Sequence, residues 1–140
     1  MPAPDLLDSN ILLYAYDASD RRKQLIASDL VRRALAGHSI VSTQVLGECA
    51  ATLLHKMSPP APPRHLKVIL NALAPIRVIL PDGDMVRRAV EAHTEYGVHF
   101  YDGMIVAAAE RGGCQRIWSE DFNAGQKYFG IVAENPFESR

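Results

Sequence analysis

The stretch FYDGMIVAAAERGGCQRIWS, from Phe100 to Ser119, combines a predicted helix with a predicted strand. Its first part, Tyr101 to Arg111, is rich in alanine, the residue with the highest helix propensity. The pair Gly112-Gly113 is expected to end this helix, because glycine is favoured just past a helix C-terminus. The segment RIWS, Arg116 to Ser119, then has the apolar character of a short strand. A helix that leads into a strand is the repeating unit of α/β folds.

Helical stripes and short apolar strands also alternate along the rest of the chain. Further strands are predicted at Leu6-Leu7, Ser39 to Ser42 (SIVS), Ile76 to Leu80 (IRVIL) and Gly130 to Ala133 (GIVA). Further helices are predicted from about Arg21 to Ala36, Val45 to Met57, Leu66 to Leu73 and Met85 to His93, with His93 in the core. The Pro-rich segment Ser58 to Pro63 is interpreted as a stiff loop between two helices. This alternation predicts a single α/β domain over residues 1–140, with a mostly parallel sheet.

The composition is that of an ordinary globular protein with balanced charge. Of the 140 residues, 48% are hydrophobic and 22% are charged, and 15 Lys and Arg against 16 Asp and Glu leave a net charge of −1. This balance argues against a strongly basic surface for nucleic acid, although it allows a local basic groove. The basic runs Arg21-Arg22-Lys23, Arg32-Arg33 and Arg87-Arg88 are interpreted as solvated helix faces.

Neither a signal peptide nor a membrane segment is indicated. The first ten residues have no basic region, and Asp5 and Asp8 lie where a signal peptide would be apolar. No apolar run reaches the roughly 18–20 residues that a membrane helix needs. Cys49 and Cys114 are far apart in the sequence and are expected to be buried, reduced thiols. A cytoplasmic protein is the expectation.

Four carboxylates come from well-separated parts of the chain. Asp8 follows the first strand, Glu48 lies early in the helix after the second, Asp102 is in the first turn of the alanine-rich helix, and Asp121 follows RIWS. Ligand sites of parallel sheets lie outside the carboxyl ends of the strands, so all four side chains can reach one edge. Clustered carboxylates repel one another, and a hard divalent cation such as Mg²⁺ or Mn²⁺ removes that repulsion.

Each carboxylate also has a purely structural interpretation. Asp8 or Ser9 could cap a short helix, and Asp102 is favoured in a first helical turn by the helix dipole. Glu48 projects away from the apolar stripe of its helix, which is typical of a solvated residue, and Asp121 could be a polar turn residue. Other chemistries have less support, because the chain has no phosphate-binding glycine loop, no GxSxG elbow and no metal-ligand spacing among its five His.

Four segments, in order, resemble the motifs of PIN domains. DSNILLYAYD (Asp8 to Asp17) resembles the opening motif, and STQVLGECA (Ser42 to Ala50) resembles the second acidic segment. FYDGMIVAAAERGGC (Phe100 to Cys114) resembles the third segment, and WSEDFNAGQKYFGIVAENPF (Trp118 to Phe137) the fourth with its closing NPF. Together they span nearly the whole chain and are most similar to the VapC-type toxins of prokaryotic toxin–antitoxin pairs.

The resemblance implies a three-layer α/β/α sandwich with a central parallel sheet of four to five strands. It implies an endoribonuclease that depends on Mg²⁺ or Mn²⁺ and leaves a 3′-hydroxyl and a 5′-phosphate. Carried over by position, the catalytic residues are Asp8, Glu48, Asp102 and Asp121, of which Asp8, Asp102 and Asp121 would hold the metal, with Asn10 and Ser119 supporting the site. Gly47 and Gly103 depart from the family pattern, which often has larger residues there, and are expected to loosen the adjoining helix starts.

The same resemblance implies three partners: an RNA substrate, a small antitoxin and a second copy of the chain. Candidate contact surfaces are the helices that carry Leu53, Leu54, Leu66, Ile69 and Leu70, which could equally be core. Two alternatives stay open at this point. One is a PIN-type RNA-processing nuclease without an antitoxin, and the other is a PIN fold kept as a non-catalytic binding module.

Overall fold

A computed structural model describes residues 2–138 as six helices and six strands. The strands are β1 (Asp5–Leu7), β2 (Ser39–Ser42), β3 (Val78–Ile79), β4 (Arg116–Trp118), β5 (Lys127–Tyr128) and β6 (Ile131–Glu134). The helices are α1 (Ser9–Ala15), α2 (Arg21–Leu35), α3 (Thr43–His55), α4 (Pro63–Leu73), α5 (Gly83–Tyr96) and α6 (Phe100–Arg111). The Pro-rich segment lies between α3 and α4, as predicted.

The strands form one sheet in the order β3-β2-β1-β4-β6-β5. All pairs are parallel except β5 with β6. In the centre, Leu6 of β1 lies opposite Ile40 on one side and Ile117 on the other, and all three side chains are buried. This confirms the prediction of an α/β fold around a mostly parallel sheet.

The strand order explains the layers and the position of a site. The chain runs from β1 to β2 to β3 in one direction, and then returns through α5 and α6 to β4 on the other side of β1. Because parallel crossovers are right-handed, this reversal puts the two sets of helices on opposite faces of the sheet. The sheet is thus sandwiched between helices, as the resemblance implied. Open α/β sheets bind ligands where the strand order reverses, which here is the edge beyond β1 and β4.

Five of the six strands are parallel to one another, which agrees with the expected parallel sheet of four to five strands, and β5 adds one antiparallel strand at the edge. The additional strand β5 forms a hairpin with β6, whose two-residue turn has positive φ at Phe129 (50°) and Gly130 (84°). Positive φ at both positions is the geometry of tight hairpin turns. A two-residue strand is too short to show an alternating pattern, which is why sequence periodicity misses β5. The strand predicted over residues 76–80 is shorter in the structure, where β3 covers Val78–Ile79.

Helix α5 ends as predicted, but His93 does not lie on its buried face. Gly97 adopts the left-handed conformation (φ 72°) that ends a helix. The prediction that His93 lies in the core is wrong: its side chain is exposed, and its Nδ1 lies 2.7 Å from the carbonyl oxygen of Val98. The buried side chains of the helix are Met85, Ala89 and Ala92. The buried stripe therefore passes through Ala92, and the adjacent His93 faces solvent.

Other predictions about buried and exposed residues have mixed outcomes. Cys49 and Cys114 are buried and free, as expected. Leu53 and Leu66, offered as contact residues, belong to the hydrophobic core. Lys23 is not part of a fully solvated face, because three-quarters of its side chain is covered.

Within residues 2–138, no helix combines the length and the apolar character needed to cross a membrane.

Candidate active site

Asp8 is the most deeply buried of the four predicted carboxylates. It follows β1, caps the N-terminus of α1 and is 3% exposed. Its side chain accepts hydrogen bonds from the backbone N–H of Ser9 and from the Ser119 hydroxyl, both at 2.7 Å. The structural and functional interpretations of this residue are therefore compatible, since the helix cap faces the ligand edge of the sheet.

Burial raises the pKa of Asp8 from 3.8 to about 6. The hydrogen bonds from Ser119 and Ser9 oppose this shift, while the negative charges of Glu48 and Asp121 add to it. These neighbouring charges are of the same sign as the ionised carboxylate, so they disfavour its charged form. Perturbed pKa values of this kind concentrate at functional sites, which makes Asp8 a candidate on physical grounds.

Ser119 and Asn10, which the resemblance implies as supporting residues, form hydrogen bonds between Asp8 and Asp121. The Ser119 hydroxyl accepts a hydrogen bond from the Asp121 backbone N–H at 3.0 Å, and Ser119 is 1% exposed. Asn10 Nδ2 donates to Asp121 Oδ2 at 3.1 Å and to Ser119 Oγ at 3.4 Å. Asn10 Oδ1 accepts from the backbone N–H of Glu120 at 3.2 Å. The turn after β4 is thus held against the start of α1.

Glu48 is half-buried and held from two sides. Ser9 Oγ donates to Glu48 Oε2 at 3.3 Å, and Gln44 Nε2 donates to Glu48 Oε1 at 2.6 Å. The same Gln44 nitrogen also donates to the carbonyl oxygen of Tyr101 at 3.0 Å, which links α3 to the first turn of α6. Sequence reasoning did not select Gln44. Its position four residues before Glu48, on the same face of a helix, is the signal that could have found it.

Asp102 lies in the first turn of α6 and is half-buried. Burial raises its pKa, the charges of Asp121 and Glu48 raise it further, and nearby His99 opposes the shift. The four carboxylates therefore interact as one group: Asp8 with Glu48 and Asp121, and Asp102 with the same two residues. The structure brings all four predicted site residues to one edge of the sheet.

Gly103 does not loosen the start of α6, contrary to the expectation from the family pattern. A Cβ atom there would lie 2.6 Å from the carbonyl oxygen of Ala89. The absence of a side chain lets α6 approach the backbone of α5 at this point, directly beside Asp102. Gly47, in contrast, has open space around it, because a Cβ atom added there would have no contact within 4 Å.

A second network, missed by sequence reasoning, holds the neighbouring residue Glu120. Lys23 Nζ forms an ion pair with Glu120 Oε2 at 2.5 Å. The Tyr14 hydroxyl donates to Glu120 Oε1 at 2.8 Å. Lys23 also lies over the Tyr14 ring, 4.6 Å from its centroid. These contacts fix the residue that precedes Asp121 and so limit where Asp121 can point.

The acidic group has the donor chemistry of a hard-cation site. Within residues 2–138, none of the ion pairs involves Asp8, Glu48, Asp102 or Asp121. Uncompensated carboxylate oxygens beside amide and hydroxyl groups are the ligands that Mg²⁺ and Mn²⁺ prefer. However, no three His, Cys, Asp or Glu side chains of the described residues are placed so that together they could hold a metal ion. The oxygen donors are of the type that Mg²⁺ and Mn²⁺ bind, but in this structure they are not placed to coordinate one ion together.

A cavity of about 420 Å³ opens beside Glu48 and Asp102. Tyr101 and Lys56 also line it, together with polar groups of α1 and α3. A larger cavity of about 740 Å³ lies between α2 and the end of β6, where it contains none of the four carboxylates. The smaller cavity, next to the acidic group, is therefore the candidate for substrate binding.

Comparisons with known proteins agree with this architecture. Three solved structures share the fold, each under 25% identical to this chain. A Mycobacterium tuberculosis VapC20 structure, described as a sarcin-ricin loop cleaving toxin, is 20% identical, with 84% of this chain and 91% of that chain covered and a TM-score of 0.62. A toxin–antitoxin complex from Klebsiella pneumoniae is 19% identical, with coverage of 96% and 99% and a TM-score of 0.66. VapBC2 from Rickettsia felis, bound to a promoter DNA fragment, is 17% identical, with coverage of 94% and 97% and a TM-score of 0.64.

The sequence comparisons identify the family. A search of curated proteins found no match. The family model of the PIN domain matches residues 6–129, which include all four carboxylates and both supporting residues. Since this match spans most of the chain, and the fold and the acidic edge agree with it, the chain belongs to the PIN domain family.

Proposed function

We propose that this protein is a metal-dependent endoribonuclease and the toxin of a VapC-type toxin–antitoxin pair. The observation that carries the proposal is the group formed by Asp8, Glu48, Asp102 and Asp121 at the ligand edge of the sheet, which forms no ion pair among residues 2–138. The PIN family match and the fold shared with solved toxins support it. We also propose that it acts in the cytoplasm, where its RNA substrate would be found.

Asp8, Asp102 and Asp121 would hold the cation, Mg²⁺ or Mn²⁺, directly or through water, and Glu48 would complete its surroundings. When bound, the cation supplies Lewis acidity, which acidifies water and neutralises charge that develops on the phosphate. The raised pKa of Asp8 reflects burial and repulsion among the carboxylates, both of which a cation would offset. Ser119 orients Asp8, and Asn10 orients Asp121, through their hydrogen bonds.

Glu48 and Asp102 differ in how readily each could accept a proton in the proposed reaction. Both oxygens of Glu48 already accept hydrogen bonds, from Ser9 and Gln44. Asp102 has no such hydrogen-bond donor among the described residues and has a raised pKa, so it is the better acceptor for a proton of the attacking water. Water adds to phosphorus, the bond to the 3′ oxygen breaks, and that oxygen takes up a proton. The products are a 3′-hydroxyl and a 5′-phosphate.

The test is cleavage of total cellular RNA by the purified protein in Mg²⁺ or Mn²⁺, with the 5′ ends mapped by sequencing. EDTA and the Asp102→Asn variant are the controls. We expect discrete cuts that require both the metal and Asp102, and these cuts would also identify the RNA. Cleavage that persists in EDTA or in Asp102→Asn would contradict the proposed site.

The toxin assignment needs its own test, because a nuclease could act without an antitoxin. We propose a homodimer that is inhibited by a small protein encoded by an adjacent reading frame. Light scattering after size exclusion should give the mass of a dimer, and co-expression of the neighbouring frame should yield a complex that no longer cleaves RNA. A strict monomer with no co-purifying small protein would leave the RNA-processing nuclease as the better assignment.

One observation favours a second candidate, a non-catalytic binding module. Across residues 2–138, no three acidic, His or Cys side chains are placed to hold an ion together. Calorimetric titration with Mn²⁺ separates the two candidates. Binding that Asp8→Asn or Asp102→Asn removes supports the nuclease, and the absence of binding by the unmodified protein supports the module.

A further inference from the structure

Tyr101 is an exposed aromatic residue directly beside a predicted catalytic carboxylate. It is 58% exposed, precedes Asp102 in the first turn of α6 and lines the 420 Å³ cavity together with Asp102 and Glu48. The residues that follow it in α6, from Gly103 to Ala109, are by contrast buried. An exposed aromatic ring beside a cavity provides a surface on which a flat ligand can stack.

The Tyr101 ring is supported by its neighbours. The His99 ring stacks on it, with centroids 5.9 Å apart and an angle of 23° between the planes. The Phe100 ring meets it edge-on, with centroids 5.1 Å apart. His99 Nδ1 accepts a hydrogen bond from the Tyr101 backbone N–H at 3.2 Å, which holds the two residues together. The ring is thus backed by protein groups while more than half of the residue stays open to solvent.

The position of Tyr101 is also fixed relative to the acidic group. Gln44 Nε2 donates to the Tyr101 carbonyl oxygen at 3.0 Å and to Glu48 Oε1 at 2.6 Å. One amide group therefore ties the backbone under the aromatic ring to a carboxylate of the site. A ligand that stacks on the ring would be held at a defined distance from the carboxylates.

The remainder of the cavity suits the other parts of a nucleotide. Lys56 lines it, and this lysine makes no ion pair with any residue in the described range 2–138. The polar residues Ser9 and Thr52 line it as well. An aromatic face, an ammonium group and hydroxyl groups beside a carboxylate cluster correspond to a base, a phosphate and a sugar next to the reacting phosphate.

We propose that the Tyr101 ring is the stacking platform for one unpaired base of the RNA substrate, next to the cleaved phosphate, and that Lys56 contacts the adjoining phosphate. This inference rests on the proposed ribonuclease function and adds two substrate-binding residues to it. A base inside an A-form duplex is stacked on its neighbours and cannot reach such a ring. The ring can therefore stack only on a base that is unpaired in the bound RNA.

The experiment measures RNA binding in the Asp102→Asn background, in Mg²⁺, so that cleavage does not interfere. The probes are an oligoadenylate that carries one 2-aminopurine and a fully paired RNA duplex. Tyr101→Ala and Tyr101→Leu should weaken oligoadenylate binding by about 5- to 150-fold and abolish the quenching of 2-aminopurine that stacking causes. Tyr101→Phe should retain both, since it keeps the aromatic face. Duplex binding should not change in any of these variants.

Two further variants test whether the effect is specific to the proposed contacts. Tyr16 is another exposed tyrosine, 39% exposed, that does not line the cavity, so Tyr16→Ala should bind like the parent. Lys56→Gln should weaken binding and reduce the salt dependence by about one counterion. Equal losses in Tyr16→Ala and Tyr101→Ala would overturn the platform, as would unchanged binding by Tyr101→Ala.

The failure of this inference is distinguishable from the failure of the proposed function. If the unmodified chain cleaves RNA in a metal- and Asp102-dependent manner while Tyr101→Ala binds like its parent, the platform is wrong and the nuclease stands. If the unmodified chain neither cleaves nor binds RNA, both are wrong. Circular dichroism of Tyr101→Ala should match the parent, because the side chain is exposed.

Discussion

The hydroxyl of Ser119 donates a hydrogen bond to Asp8 Oδ2 at 2.7 Å, although 111 positions separate the two residues in the sequence. They meet because β1 and β4 are neighbours in the sheet and pair in parallel, so that both strands end at the same edge. The same hydroxyl oxygen accepts from the Asp121 backbone N–H. Ser119 therefore links two carboxylates of the proposed metal site, and its removal should affect both.

Replacing Ser119 should change the titration of Asp8. The hydrogen bond from Ser119 favours the charged carboxylate and holds its pKa down, so Ser119→Ala should raise the pKa of Asp8 above about 6. Loss of a buried hydrogen bond should also lower the free energy of unfolding by about 1–3 kcal/mol. Carboxyl carbon NMR titration measures the first effect, and urea unfolding measures the second. Ser39→Ala, at another buried serine, is the matched control and should leave the Asp8 titration unchanged.

The stability of the metal-free protein should fall as pH rises from about 4 to about 6. Folded Asp8 has a pKa of about 6 against 3.8 for an unperturbed aspartate, so the folded state binds more protons in this window. The penalty for ionising Asp8 is absent below the lower value and fully present above the upper one, and it reaches at most about 3 kcal/mol. Urea unfolding in EDTA across this range tests the effect. Asp8→Asn should lack this component, and an identical pH dependence in that variant would exclude Asp8 as its source.

Neutralising one carboxylate should separate activity from folding. Asp8→Asn and Asp102→Asn should each abolish RNA cleavage and weaken Mn²⁺ binding, because each removes a negative charge from the proposed metal site. Circular dichroism should show a native fold in both, since asparagine has nearly the same shape. Asp29→Asn changes an exposed aspartate that pairs with Arg32, and it should leave cleavage intact. Retained cleavage in Asp8→Asn or Asp102→Asn would remove that residue from the mechanism.

One substitution at two glycines should have opposite effects on stability. Gly103→Ala should destabilise the protein by about 1–3 kcal/mol, because its Cβ would lie 2.6 Å from the carbonyl oxygen of Ala89 and would push α6 away from α5. Gly47→Ala should stabilise it by about 0.5–1 kcal/mol, since alanine is the better helix former and the position is open.

Thermal unfolding measures both effects: the melting temperature should fall in Gly103→Ala and rise in Gly47→Ala. Because Gly103 adjoins Asp102, Gly103→Ala should also weaken Mn²⁺ binding, whereas Gly47→Ala should not. A stabilised Gly103→Ala would show that the two helices can separate at no cost.

Much of the fold could be predicted from local patterns. Helices α2 to α6 and most strands follow from apolar periodicity and from glycine or proline at their ends, as at Gly97. The strand β5 could not be predicted, because two residues form it only against the neighbouring β6. The prediction for His93 is wrong because a helix of mixed composition offers two adjacent stripes, and packing selects between them.

The candidate site was also predictable from the sequence only in part. Asp8, Asp102 and Asp121 could be proposed from their positions after strands or at a helix start. Glu48 projects away from the apolar stripe of its helix, so only the family pattern favoured a functional role over that of a solvated residue. The roles of Gln44 and Lys23 depend on contacts with residues 57 and 97 positions away, which no local pattern contains.

By itself, the sequence determined which segments are helices and strands, and it placed acidic residues at the ends of several of them. Those properties depend on side-chain type and on short-range backbone preferences, which act within a few residues. Only the tertiary structure decided that Ser119 bonds to Asp8, that Gly103 lies against Ala89, and that Tyr101 opens onto the carboxylate cavity. These are distances through space, set by the strand order and by how closely α5 and α6 pack.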